Sequence, residues 1–174
     1  GFLKTLCQHG QLHEVVGWCN NAQAALDFSQ DVKLYADADV SSMVIGADNL
    51  QQLSDIGTLY TPGPDLSPLA WQRTSVGSDS WSLCGVTHTT CSSSVMNSIV
   101  SYLSSPLQPW DALVCTSQAA KEVVTNLLDE QERYLAQSLG AQTFTRPQLP
   151  VIPLGVDCAS FRCTSQQRQQ ARAR

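Results

Sequence analysis

The apolar positions of this chain fall into short compact runs that are separated by segments of helical periodicity. A run of five or six consecutive apolar residues is typical of a strand covered on both faces, whereas apolar residues three or four apart indicate one face of a helix. In the first half of the chain these two patterns alternate. They predict a helix containing Phe2, Leu3, Leu6 and Cys7 and ending at Gly10, a strand over Glu14–Cys19, helices over 20–28 and 49–53, and a strand over 56–60.

The second half shows the same alternation more clearly. Strands are predicted over 83–88, 112–116 and 149–154, and the helix between the first two is expected to stop at Pro106. Ser117 is placed to cap a long helix that Gly140 ends. Asp129 and Arg133 lie one turn apart, which predicts an ion pair on the outer side of that helix. Its predicted core face consists of Ala120, Val123, Val124, Leu127, Leu128, Leu135 and Leu139.

Strands that alternate with helices predict an α/β protein with a Rossmann-like, doubly wound and mostly parallel sheet that carries helices on both faces. In such a sheet, ligands bind beyond the carboxyl ends of the strands. Each of four predicted strands is followed by Gly, Pro, Thr, Ser, His or Asp, and we therefore expect the functional site at this edge. The residues that these strand ends would bring together are Thr61, His88, Ser117 and Gly155.

The net charge of −5 is unevenly distributed along the chain. Positions 1–160 hold six bases against fifteen acids, a net charge of −9, whereas positions 161–174 hold four arginines and no acid. The negative charge of positions 1–160 does not favour nucleic acid as a partner, because affinity for a duplex depends on neutralising phosphates with Lys and Arg. We assign 1–160 to the Rossmann-like domain and 161–174 to a tail or the start of an interdomain linker.

The seven cysteines are scattered, without a C-x-x-C pair or a Cys/His spacing that suits zinc, so we expect neither a metal site nor a disulfide framework. Cys84 and Cys115 fall within apolar strand runs, where a thiol acts as a small buried hydrophobe. The sequence also has no apolar run of transmembrane length and no basic-then-apolar leader. Together these features predict a cytoplasmic protein.

Residues 153–161 read Pro-Leu-Gly-Val-Asp-Cys-Ala-Ser-Phe, which resembles the P-x-G-V-D-x-x-x-F signature of GT-B glycosyltransferases, in particular glycosyltransferase family 4. Three further segments follow the order of that family: YTPGPD at 60–65, VTHT at 86–89 and DALVCTS at 111–117. In this order, they resemble three strands of the family: one that ends in a His/Pro-rich loop, one that ends in T-x-H, and one that leads into a long helix. The resemblance covers residues 56–161.

The resemblance implies one half of a GT-B fold, the amino-terminal and acceptor-side domain of a retaining glycosyltransferase. Such an enzyme moves a hexosyl unit from a nucleotide-sugar to a hydroxyl acceptor, with no required metal or other cofactor. In the family a carboxyl-terminal domain provides most nucleotide contacts, so we expect this chain to be inactive alone. The family's first strand with its glycine turn and its second domain are not recognised here, which predicts a domain fragment.

His88 is the candidate catalytic residue, because the matching family histidine lies in the interdomain cleft and helps to hold the sugar in the transition state. The structural alternative is a histidine that only ties its own loop. Thr89 and Ser92 precede a helix amino terminus that suits a polar acceptor, although N-capping explains either hydroxyl equally well. Asp65 can bind acceptor hydroxyls or cap the helix predicted over 66–73. The complete set of candidate substrate-binding residues is Thr61, Asp65, Thr89, Ser92, Ser117 and Gly155.

Two other functions fit parts of the same pattern. A non-catalytic α/β ligand-binding or regulatory domain would reuse the Rossmann layout without chemistry. A cysteine-dependent hydrolase would use Cys91 beside His88, but the sequence shows neither an orienting acid nor an oxyanion motif for it. A second domain with the family's paired glutamates, downstream of Arg174, would favour the glycosyltransferase over both.

Overall fold

Two parallel sheets form the centre of an α/β fold. A computed structural model describes residues 2–37, 39–156 and 162–172. β1 pairs with β2 in the first sheet, and the second sheet has the order β3-β4-β5, with every strand parallel to its neighbour. The predicted α/β class, with Rossmann-like parallel strands flanked by helices, is confirmed. The strands are β1 (Glu14–Cys19), β2 (Ser41–Gly46), β3 (Thr58–Tyr60), β4 (Ser82–Val86) and β5 (Ala112–Val114).

Helices connect successive strands and pack beside them. Side-chain caps fix three helix starts: Asn21, Ser92 and Ser117 each accept a hydrogen bond from the backbone N–H three residues further along. Gly140, with φ of 67°, ends the longest helix in the left-handed region that glycine adopts without strain. The α-helices are α1 (Phe2–His9), α2 (Ala22–Tyr35), α3 (Leu53–Ile56), α4 (Ser67–Arg73), α5 (Ser93–Val100), α6 (Gln118–Leu139) and α7 (Ser165–Arg172).

The larger apolar core joins the second sheet to α4, α5 and α6 and extends to β2 through Ile45. A smaller core of Cys7, Val15 and Val32 joins α1, β1 and α2. Close packing of α2 on β1 requires a glycine, because a Cβ at Gly17 would lie 2.6 Å from the Phe28 ring. The fully buried side chains of the larger core include Ile45, Leu66, Leu83, Ile99, Tyr102, Leu113, Val124 and Leu128.

The strand β2 is absent from the sequence-based prediction. It begins with two serines, and Met43 and Val44 are more than a third exposed, so it presents neither a continuous apolar run nor a clear alternation. The predicted strand over 149–154 was wrong in extent, since only Gln148 and Val151 form isolated parallel bridges beside β5. Cys158 and the Asp and Phe of the predicted signature lie outside the described residues.

The helix α6 has the predicted caps but not all of the predicted contacts. Val124 and Leu128 are fully buried, whereas Leu139 is 75% exposed, because the last turns of the helix extend beyond the core. The predicted pair of Asp129 with Arg133 does not form. Arg133 lies 3.7 Å from Glu130, and Asp129 binds Arg146 at 2.8 Å instead. The contact with Arg146 crosses from α6 to the following segment, which no helical spacing could predict.

A buried ion pair joins α4 to the amino end of β5. The Arg73 guanidinium donates to both carboxylate oxygens of Asp111 at 2.8 Å, and neither side chain is exposed to solvent. Arg73 also donates to the carbonyl oxygens of Trp81 and Pro106. The planar fork of Arg matches a carboxylate bidentately, which makes this one of the stronger charge-assisted contacts available to a protein.

The remaining lone pairs of the Asp111 carboxylate accept backbone hydrogen bonds. Leu83 N donates to Oδ1 at 2.8 Å, and Gln108 N donates to Oδ2 at 2.7 Å. A single carboxylate therefore fixes the start of β4, the turn before β5 and the end of α4. Burial of two charges is costly, and here the desolvation is offset by four hydrogen bonds to the Asp111 carboxylate and four from the terminal nitrogens of Arg73, whose Nε alone has no partner among the described residues.

We expect Asp111→Ala to lower the free energy of unfolding by about 3–5 kcal/mol, because it leaves a buried guanidinium without its counter-charge. Arg133→Ala is the matched control, since it removes the exposed pair with Glu130 and should cost no more than about 1 kcal/mol. Urea denaturation of both variants checks this. Equal losses in the two variants would show that the buried pair does not hold the fold.

Candidate functional site

A cleft of about 360 Å³ opens at the carboxyl ends of β4 and β5. Its walls are the loop between β4 and α5 and the first turns of α6. This is the edge at which parallel α/β sheets bind ligands. The residues that line this cleft, called here the β4–β5 cleft, are Thr87, His88, Thr89, Thr90, Cys91, Thr116, Ser117, Ala119, Ala120 and Val123.

Thr87 ties the two strand ends together at the cleft. Its backbone N–H donates to Val114 O at 2.9 Å, and its Oγ1 accepts from Thr116 N at 3.1 Å. The two threonine hydroxyls are 3.4 Å apart. Thr87 is only 1% exposed, so these bonds are protected from water. The residue immediately before the predicted catalytic histidine therefore has a structural role in positioning the cleft.

His88 follows Thr87 on the exposed wall of the β4–β5 cleft. Its side chain has no hydrogen-bond partner among the described residues, so the alternative of a histidine that ties its own loop finds no support there. The loop is held by Thr89, whose Oγ1 accepts from Cys91 N at 3.3 Å. Both imidazole nitrogens of His88 are thus available to a ligand in the cleft.

The amino end of α6 forms the second wall. Ser117 Oγ accepts from Ala120 N at 3.0 Å, which completes the cap. The N–H groups of Gln118 and Ala119 have no partner within the helix, and such groups attract anions and polar oxygens. Lining residues include four hydroxyl side chains besides Thr87 but no carboxylate. The cleft therefore suits a ligand rich in hydroxyl or anionic oxygen.

Of the predicted site residues, His88, Thr89 and Ser117 line the β4–β5 cleft, and the other four do not. Ser92 lies close by in the chain but caps α5 through Val95 N at 3.3 Å. Gly155 is exposed, with no atom within 4 Å of the position a Cβ would take. The sheet edge thus brings together the residues of two neighbouring strands rather than of all four.

Thr61 and Asp65 follow β3 and lie in a loop that crosses over β4. Val86 N donates to Gly63 O at 3.2 Å, and Tyr102 Oη donates to the carbonyl oxygen of Pro64. Asp65 is exposed, and α4 begins without a side-chain cap, so the predicted capping role of Asp65 is not observed. Its role in binding an acceptor stays a prediction.

Three hydroxyl-bearing residues of the cleft are absent from the list of candidate site residues: Thr87, Thr90 and Thr116. Thr87 and Thr116 are the residues at which the two apolar runs turn polar, a signal that marks a strand end but not a cleft wall. Ala120 and Val123 were predicted to face the core. Val123 is 39% exposed because the first turns of α6 face the cleft on this side.

The cleft contains a cysteine and a histidine, as a cysteine-dependent hydrolase would require. Cys91 is an exposed free thiol. No Asp or Glu is among the lining residues to orient His88 as a base.

Across the described part of the chain, no group of three or more His, Cys, Asp or Glu side chains is arranged to hold a metal ion. No described helix has the length and apolar character needed to cross a membrane.

Comparisons with protein-family models, curated proteins and solved structures find no match for this chain. The α/β fold and the β4–β5 cleft are therefore the observations on which a functional assignment rests.

We expect Thr87→Val to lower the free energy of unfolding by about 1–2 kcal/mol. The substitution keeps the side-chain volume nearly constant but leaves the backbone N–H of Thr116 without its acceptor, Thr87 Oγ1. Thr89→Val is the control, since Thr89 is exposed and only braces the loop. Thermal unfolding of both variants measures the difference. A Thr87→Val protein as stable as Thr89→Val would contradict the proposed tie between strands.

The free thiols should differ strongly in reactivity. Burial raises the pKa of the Cys84 and Cys115 thiols, so little reactive thiolate forms there at neutral pH. We expect iodoacetamide at about pH 7.5 to modify the exposed Cys91 and Cys163 first. Labelling at Cys84 should rise only at higher pH or after denaturation. Mass spectrometry of timed samples checks the order, and early modification of Cys115 would contradict it.

Proposed function

We propose that this chain is the amino-terminal, acceptor-side domain of a retaining GT-B glycosyltransferase. The observation that carries the proposal is the joint presence of His88 and Ser117 in one cleft at the carboxyl ends of adjacent parallel strands. Both residues belong to segments that resemble family 4, and a ligand bound in the cleft would contact both. The order of the segments along the chain supports the same assignment.

The cleft chemistry fits binding of a hydroxyl-rich acceptor. Hydroxyl groups of Thr89, Thr90, Thr116 and Ser117 can donate and accept hydrogen bonds, and the free N–H groups of α6 can donate to acceptor oxygens. His88 would hydrogen-bond a sugar hydroxyl close to the reacting carbon. In this role it holds the sugar as positive charge develops, rather than removing a proton.

The proposed reaction transfers a hexosyl unit with retention of configuration. The bond between the sugar's anomeric carbon and the donor phosphate oxygen breaks, and a bond from that carbon to the acceptor oxygen forms. The acceptor proton passes to the departing phosphate oxygen. This fits a cleft whose lining has no carboxylate to act as a base. A second Rossmann-like domain would supply the donor nucleotide contacts, so we expect no transfer by this chain alone.

The proposed location is the cytoplasm. The described cysteines Cys7, Cys19, Cys84, Cys91, Cys115 and Cys163 are all free thiols, a state typical of a reducing compartment. Cytoplasmic nucleotide-sugars would then be directly accessible to the enzyme.

The proposal predicts that the isolated chain binds simple acceptors in the β4–β5 cleft. We expect methyl hexosides and cyclitols to shift the amide resonances of 87–91 and 116–120 in NMR titrations of ¹⁵N-labelled protein. His88→Ala should weaken this binding by about fivefold to tenfold, the scale of one lost hydrogen bond. His13→Ala is the matched control, because His13 is exposed and remote in the chain from the cleft.

Two results would contradict the proposal. If no methyl hexoside or cyclitol shifts the amide resonances of the cleft, the proposed binding of a hydroxyl-rich acceptor is wrong. If His88→Ala and His13→Ala bind these compounds equally well, His88 does not contribute to binding. Unchanged folding of each variant is checked from the dispersion of its remaining resonances.

A non-catalytic ligand-binding domain is the second candidate. It is favoured by one observation: the β4–β5 cleft has free helix N–H groups but no acid or base partner for His88. In the same titration, inorganic phosphate or a nucleotide would then produce the cleft shifts, and sugars would not. That pattern would support a domain that senses an anion and performs no transfer.

A further inference from the structure

β2 has one edge that is hydrogen-bonded to β1 and one that is not. Ser41 N donates to His13 O, so Ser41 and every second residue after it direct their backbone groups toward β1. In a parallel ladder, the backbone groups of successive residues point to opposite sides of the strand. The N–H and C=O groups of Ser42 and Val44 therefore point away from β1. They have no backbone partner within the described residues, and we call this side the outer edge of β2.

The outer edge of β2 lacks the features that usually protect an edge strand. Natural proteins keep such strands from pairing with another chain by placing a charge, a proline or a β-bulge in them. All six residues of β2 pair with β1 without a bulge, and none of them is charged or proline. Met43 and Val44 are 37% and 36% exposed, and their side chains point to opposite faces of the strand. A further strand would therefore meet accessible apolar side chains on both faces.

Exposed acidic residues stand at both ends of β2. Asp37 and Asp39 precede the strand, and Asp48 follows it in the next turn. None of the three forms an ion pair with another described residue. Positions 37–48 contain no basic residue. The outer edge is thus an uncharged strand with unneutralised negative charge at each end.

This charge pattern distinguishes between possible occupants of the edge. If two copies of the chain paired through β2 in antiparallel orientation, Asp39 of one copy would approach Asp48 of the other at both ends of the interface. Like charges placed opposite each other destabilise paired strands, so a second copy is disfavoured. A strand with Lys or Arg at both ends would instead meet opposite charges at both ends.

We propose that the outer edge of β2 binds an extended basic segment of a partner protein as an added strand. In this mode of recognition, main-chain hydrogen bonds supply affinity and side chains supply specificity. The backbone groups of the segment would bond to Ser42 and Val44, and its apolar side chains would pack beside Met43 and Val44. About five residues between its basic ends are enough to span the edge. This surface belongs to the first sheet, so the proposal does not depend on the function of the β4–β5 cleft.

The test uses the full chain, labelled with ¹⁵N, and the peptide KKVTVTVKK. The control peptide is EEVTVTVEE, which has the same strand-forming centre and the opposite charge. Hydrogen exchange read by NMR is followed at Ser42 and Val44 at increasing peptide concentration. Met43, whose amide faces β1, serves as the internal reference.

We expect the basic peptide at saturation to slow exchange at Ser42 and Val44 by about fivefold or more and to leave Met43 nearly unchanged. The acidic peptide should give no protection. Equal protection by both peptides, or none by the basic peptide, would overturn the proposal. Protection that rises with protein concentration in the absence of peptide would also overturn it, because a second copy would then occupy the edge.

Two variants separate the contribution of charge from that of the backbone. Asp39→Asn combined with Asp48→Asn should weaken binding of the basic peptide by about threefold to tenfold, the scale of two exposed ion pairs. Asp79→Asn is the matched control, because Asp79 is exposed and remote in the chain from β2. Equal binding by these two variants would contradict recognition by charge.

Val44→Pro should abolish the binding, because it removes an outward N–H donor but no hydrogen bond to β1. Urea denaturation establishes that this variant is folded. Undiminished binding by folded Val44→Pro would show that the peptide does not add as a strand at this edge. If Val44→Pro does not fold, the double Asn variant and the exchange at Ser42 decide the proposal.

Discussion

The bidentate contact between Arg73 and Asp111 is the constraint on which the second sheet depends. It is completely buried, and through the Asp111 carboxylate it sets the positions of Leu83 and Gln108 as well. These residues stand at the amino ends of β4 and β5. The β4–β5 cleft stands at the opposite ends of the same two strands, where the second tie, through Thr87, is made. The relative position of the two cleft walls is thus fixed at both ends of the strand pair.

Local signals in the sequence predict much of this fold. The caps Ser92 and Ser117 and the terminator Gly140 act within one helical turn, so a single sequence shows them. The ion pair of Arg73 with Asp111 spans 38 residues and leaves no such signal. The same reason explains why β2 was not predicted: its core contribution is Ile45 alone, and its position beside β1 is decided by tertiary packing.

The candidate site was predictable to the extent that it follows from adjacent strands. His88 and Ser117 meet because β4 and β5 are neighbours, and a strand end can be read from the sequence. Thr61 and Gly155 do not join them in the cleft, because loop paths decide where those residues lie. The β3 loop lies so close to β4 that a Cβ at Gly85 would be 2.6 Å from Gly63 O. Contacts of this kind depend on backbone geometry that periodicity does not encode.

The hydrogen bond between Thr87 and Thr116 separates the polar groups of the β4–β5 cleft into bonded and free ones. The Thr87 hydroxyl and the Thr116 amide and hydroxyl already contact each other, so they would lose little conformational entropy on ligand binding. Among the described residues, the groups that remain free include the imidazole of His88, the hydroxyl of Thr90 and the first N–H groups of α6. A ligand entering this cleft would therefore meet a rigid surface formed by the bonded threonines and a small set of polar groups that are free to hydrogen-bond.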